Sequence, residues 1–389
     1  MMISISREQA RHLLVRYHFT QTAMLGVLER LRTIQYDPLN PVGRNPDLVL
    51  QARVPGYQVD DWQQLAYSDR LAYDAWDKQA CLVSVADWPL RALTREKHRP
   101  YHDREILENG AGSVAEILAA IDARGPLSSL EFEKQAYAGS GHSWAGSTVA
   151  KRILRSLWAC GLLVTHHRKN GRHYYDRPER VIPAEHFSAA PLVDEAAYYR
   201  WIMTQRYRAT GLLRASAEAC IWSSCGDAKQ RRLAIAQLVE AGVLTAVQIG
   251  EKKWPYYTLS DTLKLLDEPL PAPRVIFLAP LDSFMWDRKG VLQLFDCDYL
   301  WEVYKPEKAR KWGYYVLPVL YGDRFIARLD SRLERGTWTI SRWWWEPDVT
   351  PDAEMLDALR TAMRAFLYYL RADDICVVDG VDAAVRQAI

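Results

Sequence analysis

VAKRILRSLWACGLLVTHHRKNGRHYYD, residues 149–176, begins with apolar residues at helical spacing (Leu154, Leu157), stops at Gly161, and resumes as an apolar pair. A basic Lys-Asn-Gly turn and the aromatic pair Tyr174–Tyr175 follow. The order is helix, glycine cap, strand, turn, strand. RRLAIAQLVEAGVLTAVQIGEKKWPYYTL, residues 231–259, repeats it with Ile235, Leu238, Gly242, the turn Gly250–Glu251–Lys252–Lys253, and Tyr256–Tyr257. Each copy is preceded by another helical stretch, residues 113–125 and 195–211 respectively. A helix pair, a recognition helix and a hairpin wing make a winged helix, in which glycine ends the recognition helix in a left-handed conformation so that the wing folds back.

Working outward, residues 1–112 read as mostly helical, with Ser6 as N-cap of the first helix, and form a divergent third unit. The two clear winged helices occupy 113–190 and 191–270. From 271 to 389 the pattern changes to strand-like runs: 274–288, 300–306, 312–330 and 336–346. A helix capped by Asp352 and a last strand at 374–378 complete a β-barrel-like domain. The expected class is α+β: three tandem winged helices, the first divergent, then the barrel-like domain with its C-terminal helix.

Bulk properties suit a globular protein: 389 residues, 49% hydrophobic, 25% charged. The beginning, MMISISREQARHLLVRYHF, lacks the apolar core of a signal peptide, and no run is long enough to span a bilayer. A cytoplasmic location without membrane contact is expected. Six scattered cysteines fit reduced thiols, and no Cys/His cluster has zinc spacing, so neither metal nor cofactor is assigned.

The net charge of +2 conceals local basic pieces interleaved with aromatics, at 166–177, 228–238 and 304–315. Only the local field attracts phosphates. Any one such piece also suits a solvated hairpin tip. Recurrence on two recognition helices and wings favours nucleic acid, with Arg152, Lys169, Arg172, Lys252 and Lys253 as contacts, although winged helices serve protein partners as well.

A second stretch, RLRTIQYDPLNPVGRNPDLVL at 30–50, points to chemistry. It starts as a helix that the prolines forbid from continuing: residues before proline are pushed to extended conformation, here Asp37 and Asn40. The helix is expected to stop near Ile34. In extended chain, residues two apart share a side, so Gln35 and Asp37 are presented together while Tyr36 turns away to anchor the loop. One carboxylate is too few for ordinary glycoside hydrolysis, which needs an acid and a base. An N-alkylated purine already carries positive charge, so its glycosidic bond breaks without protonation. One carboxylate then suffices to stabilise the oxocarbenium-like sugar and activate water, with the Gln35 amide holding that water. Gln-x-Asp alone is also an ordinary capped helix end.

Context separates the two readings. LRTIQYDPLNPVGRNPDLVLQAR at 31–53 resembles the corresponding segment of the YcaQ/AlkZ-like winged-helix DNA glycosylases. The segment 280–332 is similar to that family's most recognisable block, with Trp286–Asp287–Arg288, Glu302, Gly313–Tyr314–Tyr315, Leu317–Pro318 and Arg328-x-Asp330 in order. The resemblance implies three winged helices and a barrel around duplex DNA, with Gln35 and Asp37 at a Gln-hydrophobic-Gln/Asp catalytic motif. Asp in the third position resembles the YcaQ-like branch, which implies release of bulky N7-alkylpurines and unhooking of interstrand crosslinks, leaving abasic sites. After Trp76 the family pattern implies His-Glu-Ala, whereas this chain has Asp77–Lys78–Gln79–Ala80.

Other candidates keep two readings each. Asn40 and Arg44 are placed to hold phosphate, or to form a turn and an ion pair. Trp286, Arg288 and Lys289 offer DNA contacts from the barrel, or Trp286 is core and Asp287–Arg288 a structural pair. Lys78 and Arg328 join the DNA-facing set. Trp343–Trp345 suit base stacking or barrel packing. The reading adopted is a cofactor-independent monofunctional DNA glycosylase, expected to be monomeric, acting on duplex DNA with alkylated or crosslinked purines. Its rival is a non-catalytic winged-helix regulator, for which an acidic residue on a DNA-facing loop is a liability. A nuclease lacks the acidic cluster or His pair it needs.

Overall fold

The computed structural model describes residues 2–109, 111–132, 149–251 and 254–389. The chain forms two compact units, Met1–Trp62 with Ile202–Ile389, and Gln63–Trp201. The first unit is thus assembled from both ends of the sequence; the expected boundaries at 112 and 190 fall inside the second unit and that at 270 inside the first.

In the first unit, Ser6 caps the helix Arg7–Phe19 reciprocally with Gln9: the Gln9 N–H donates to Ser6 Oγ at 3.0 Å and the Ser6 N–H to Gln9 Oε1 at 2.8 Å. The strand before it, Met2–Ile5, runs parallel to Leu244–Ile249 of the second sequence repeat. That repeat has the expected order: helix Ala228–Glu240, Gly242 at φ +70°, then a hairpin pairing Leu244–Ile249 with Tyr256–Leu259. Leu212–Arg214 adds on the far side of Tyr256–Leu259, completing four strands.

The C-terminal sheet has the order Val275–Phe277, Val316–Tyr321, Arg324–Glu334, Thr337–Trp345, Asp374–Val377. Neighbours are antiparallel except the last pair. It is a half-barrel: Val275–Phe277 and Asp374–Val377 remain its edges. The helix Ala353–Leu370 packs on it, with Phe366 4.9 Å from Phe277 and 4.8 Å from Trp338 between ring centroids, and Asp352 Oδ1 accepts the Met355 N–H as the expected cap. Two readings of this region are corrected. Residues 300–306 form no strand, and of 274–288 only Val275–Phe277 is one: Ser283–Met285 is a 3-10 turn and Arg288 opens the helix Arg288–Phe295. Asp287 Oδ1 accepts the Gly290 N–H at 3.0 Å, so a local cap wins over β-propensity.

A buried ion pair ties the N-terminal helices to the chain leading out of Val275–Phe277. Arg53 grips Asp282 through two bonds, Nη1 to Oδ2 at 2.7 Å and Nη2 to Oδ1 at 2.8 Å, with both side chains fully enclosed. His18 sits against Arg53, and burial together with that guanidinium pushes its pKa down to about 3. The ring is therefore neutral and donates from Nε2 to the Thr210 carbonyl at 3.1 Å.

In the second unit the first sequence repeat is likewise helix, glycine, hairpin. Helix Val149–Ala159 ends before Gly161 at φ +76°, and Val164–Lys169 pairs with Arg172–Asp176. Asn170 and Gly171, at φ +52° and +75°, form the two-residue turn that matches strand twist. Ile117, Ile121, Ile153 and Leu157 fill its core. A further hairpin, Ala72–Trp76 with Ala80–Ser84, lies where the sequence reads as mostly helical. Two helix–hairpin units are thus present among the described residues.

Removing one side of the enclosed Arg53–Asp282 pair leaves an uncompensated buried charge. Asp282→Ala is expected to lower stability by about 3–5 kcal/mol in urea unfolding, and a loss below about 1 kcal/mol contradicts this account.

Candidate active site

The helix Met24–Leu31 ends before the prolines act. Arg32, at φ +62°, caps it and donates its N–H to the Leu28 carbonyl at 2.7 Å. The expected stop near Ile34 is corrected accordingly: Thr33–Gln35 is already a strand. Past it the chain runs through Asp37–Pro38 and Asn40–Pro41 to the helix Asn45–Gln51. Tyr36 is buried and meets Trp62 edge-on at 5.9 Å, the anchoring role expected of it. Gln35 is buried as well.

Asp37 is half-buried. Its Oδ1 accepts the Leu39 N–H at 3.0 Å, a local turn that fixes the carboxylate. Desolvation raises its pKa, only partly offset by that bond. Among the described residues no cation pairs with it. The loop is fastened from both sides: Asn45 Nδ2 donates to the Gln35 carbonyl at 2.7 Å, Asn45 Oδ1 accepts the Leu281 N–H at 3.2 Å, and the Leu333 N–H donates to the Pro41 carbonyl at 2.7 Å.

Pro41 of this loop also borders a cleft of about 460 Å³ on the half-barrel, walled by Trp312, Tyr314 and Tyr315 and rimmed by Arg310, Arg332 and Arg342. Asp37 is not among its lining residues, but its charge reaches Tyr315. After burial it is the largest influence raising that phenol's pKa. The cleft is thus aromatic inside, cationic at the rim, and within the field of the half-buried acid. Sequence reading missed these residues as a group. The signal available was the aromatic run 312–315 beside three arginines that converge only once the sheet pairs.

The remaining candidates divide. Asn40 is exposed, while Arg44 engages Asp60 at 3.1 Å, the ion pair anticipated as its alternative. Lys289 and Lys169 are exposed. Arg172 donates to Ser129 Oγ at 3.2 Å and lines a cleft of about 580 Å³ in the second unit with Lys151, Arg155, Trp76 and Trp158. Arg152 lies 3.6 Å from Glu105. Lys252 and Lys253 fall outside the described residues.

Four candidates are withdrawn as surface DNA contacts because the fold encloses them. Trp286 is buried and donates to the Leu281 carbonyl at 2.9 Å. Arg288 reaches the Pro280 carbonyl and stacks over Tyr299 at 4.6 Å, while its expected partner Asp287 binds Arg214 instead. Arg328 bonds Glu346 and the Asp298 carbonyl, both at 2.8 Å. Lys78 is buried in the turn of the 72–84 hairpin. In the tryptophan run, Trp343 and Trp345 meet at 5.2 Å and Trp344 packs on Trp312 at 5.4 Å, so packing prevails.

With this geometry in place, comparison with known proteins is informative. The family model described as DNA glycosylase AlkZ-like matches residues 28–368, which include the loop, both helix–hairpin units and the half-barrel cleft. Among solved structures, the Streptomyces sahachiroi DNA glycosylase AlkZ is similar in fold, with a TM-score of 0.63 at 13% identity, covering 97% of this chain and 100% of that one. No helix among the described residues is long and apolar enough to cross a membrane.

The fastening of the loop is testable apart from any activity. Asn45→Ala strips a buried donor from the Gln35 carbonyl and a buried acceptor from the Leu281 N–H. Each unsatisfied group costs about 1–3 kcal/mol, so urea unfolding should show a loss of about 2 kcal/mol or more. Amide exchange should quicken at Leu39 and Leu281; unchanged exchange at both refutes the fastening.

Proposed function

The chain belongs to the AlkZ-like DNA glycosylase family, and we propose that it hydrolyses the N-glycosidic bond of N7-alkylated purines in duplex DNA, bulky adducts and interstrand crosslinks included, with Asp37 as the catalytic carboxylate. The family implies a DNA-repair glycosylase; the substrate and residue roles are our reading. The observation that carries it is the state of Asp37: fixed by Leu39, half-buried, and without a cation among the described residues.

The mechanism follows from charge. An N7-alkylpurine is cationic in the ground state, and as the C1′–N9 bond breaks its positive charge passes to the sugar. A carboxylate beside C1′ stabilises that developing oxocarbenium and takes a proton from the attacking water. At about 4 Å and an effective dielectric near 20, the attraction is roughly 4 kcal/mol, and if it develops mainly in the transition state it contributes about three orders of magnitude in rate. Gln35 orients the water. The neutral base leaves by keeping the bonding electron pair, so no acid is needed. An open cleft suits crosslinks, because a base tethered to the opposite strand cannot be flipped into a closed pocket. Asn40, Lys169, Arg172 and Lys289 are proposed phosphate contacts, with Lys252 and Lys253 as further candidates from the sequence.

Asp37→Asn should bind duplex DNA nearly as well as the parent yet release N7-methylguanine about a thousandfold more slowly; equal release by the two proteins refutes the assignment. Since Asp37 acts ionised and burial raises its pKa above 3.8, the rate should fall as pH falls through a midpoint above that of a free carboxylate. A midpoint at or below the free value excludes Asp37 as its source. At the wing, Lys169→Glu should weaken binding and reduce the slope of log K against log salt by about 1. An unchanged slope removes Lys169 from the interface.

A further inference from the structure

The half-barrel cleft is lined by two carboxylates that the mechanism does not use, the exposed Glu307 and the half-buried Asp330. Asp330 lies on the strand Arg324–Glu334, opposite Val316 on one side and Arg342 on the other. Pairing with Thr337–Trp345 shifts register between Asp330 and Ser331, a bulge of the kind that re-aims side chains beside active sites. Asp330, Ser331, Ser341 and Arg342, all at this irregularity, line the cleft.

Asp330 is half-buried, yet among the described residues it has neither a hydrogen bond nor an ion pair, although Arg332 and Arg342 lie within electrostatic reach. Space is kept for its carboxylate by Gly313. A Cβ there would stand 2.5 Å from Asp330 Oδ2 and 3.0 Å from Val316 Cγ2. Two further polar groups in the lining are also unanswered: Tyr315 Oη and Ser331 Oγ are buried with no hydrogen-bond partner. Their residues are 1% and 3% exposed. The half-buried carboxylate, left unsatisfied in the lining, suits a polar occupant.

The chemistry of the walls identifies that occupant. Trp312 and Tyr314 present aromatic surface, a carboxylate lies among them, and arginines stand at the rim. Aromatic faces and an acid favour a flat cation, while the rim favours phosphate. A polyanion alone would be repelled by Asp330. We propose that Asp330 is the specificity-determining residue that selects a positively charged purine from the neutral bases around it, by direct attraction to the cationic ring lodged in this cleft. The inference rests on the glycosylase reading above. Asp37 serves bond breaking in that scheme, and Asp330 serves recognition.

The test separates the two. In the Asp37→Asn background, equilibrium binding is measured to duplexes carrying either guanine or N7-methylguanine with a 2′-fluoro sugar that resists spontaneous loss. Adding Asp330→Asn should cut the preference for the methylated duplex about tenfold, equivalent to about 1.4 kcal/mol, while affinity for the unmodified duplex stays level or rises. Gly313→Ala, which displaces the carboxylate without removing it, should reduce the same preference. An unchanged preference in Asp330→Asn overturns the inference. So does an equal loss of affinity for both duplexes, which marks a structural role. Base release by wild-type protein is assayed alongside: its absence sinks the glycosylase reading, whereas normal release with unchanged selectivity sinks only the role of Asp330.

Discussion

A single buried amide sets the position of the proposed catalytic loop. Asn45 is fully enclosed, and its two ends face in different directions: Nδ2 donates to the carbonyl of Gln35, and Oδ1 accepts from Leu281 beside the half-barrel. Gln51 extends the seam by donating to the Phe277 carbonyl at 2.7 Å. Each bond is worth only about 1 kcal/mol net, but leaving a buried partner unmet costs more, so the arrangement has one satisfied state. The loop from Tyr36 to Arg44 has no regular hydrogen-bonded structure of its own. Because the scaffold holds it, Asp37 needs no cation to fix its carboxylate, and its charge remains available.

Two kinds of carboxylate contrast in the first unit. Glu302 accepts from Lys305 Nζ at 2.8 Å and from the N–H groups of Lys311 and Trp312 at 3.2 and 2.7 Å; these bonds prevail over burial and hold its pKa at about 2. Asp282 is gripped by Arg53. Such acids organise the chain, and Glu302 shapes the turn that brings Trp312 to the cleft. Asp37 and Asp330 differ: burial raises both pKa values and neither has an ion-pair partner among the described residues. Perturbed, unpaired acids at a cleft are the ones with free energy left for a ligand.

How much of this was legible depended on the range of the interaction. Local signals read well: Ser6 and Asp352 as caps, Gly161 and Gly242 at positive φ, Asn170–Gly171 as a turn. Gln35 and Asp37 stood out because proline restricts its predecessor whatever surrounds it. Readings failed where partners are far apart in sequence. Nothing near Met2–Ile5 announces a parallel partner at Leu244–Ile249, and the bulge at Asp330 exists only once two strands have chosen a register. The arginines misled for another reason. Arg288 and Arg328 look like phosphate contacts in a basic, aromatic stretch, yet a planar guanidinium on a long stem also suits enclosed networks with carbonyls and rings, where both are found.

The division of labour between two acids follows from the leaving group. If Asp330 were a proton donor, the cleft would have to keep it neutral at physiological pH. Burial pushes that way, but Arg332 and Arg342 push back toward the anion. A donor would also be redundant for a purine already made cationic by alkylation, since departure with the bonding electrons neutralises the base. A second anion near the ring is most useful earlier, when the ring still carries its charge and must be told apart from ordinary guanine. Its attraction vanishes as the base becomes neutral, which also eases release of the product. In the proposed scheme, recognition by Asp330 and transition-state stabilisation by Asp37 thus act at successive positions of the same positive charge, first on the base and then on the sugar.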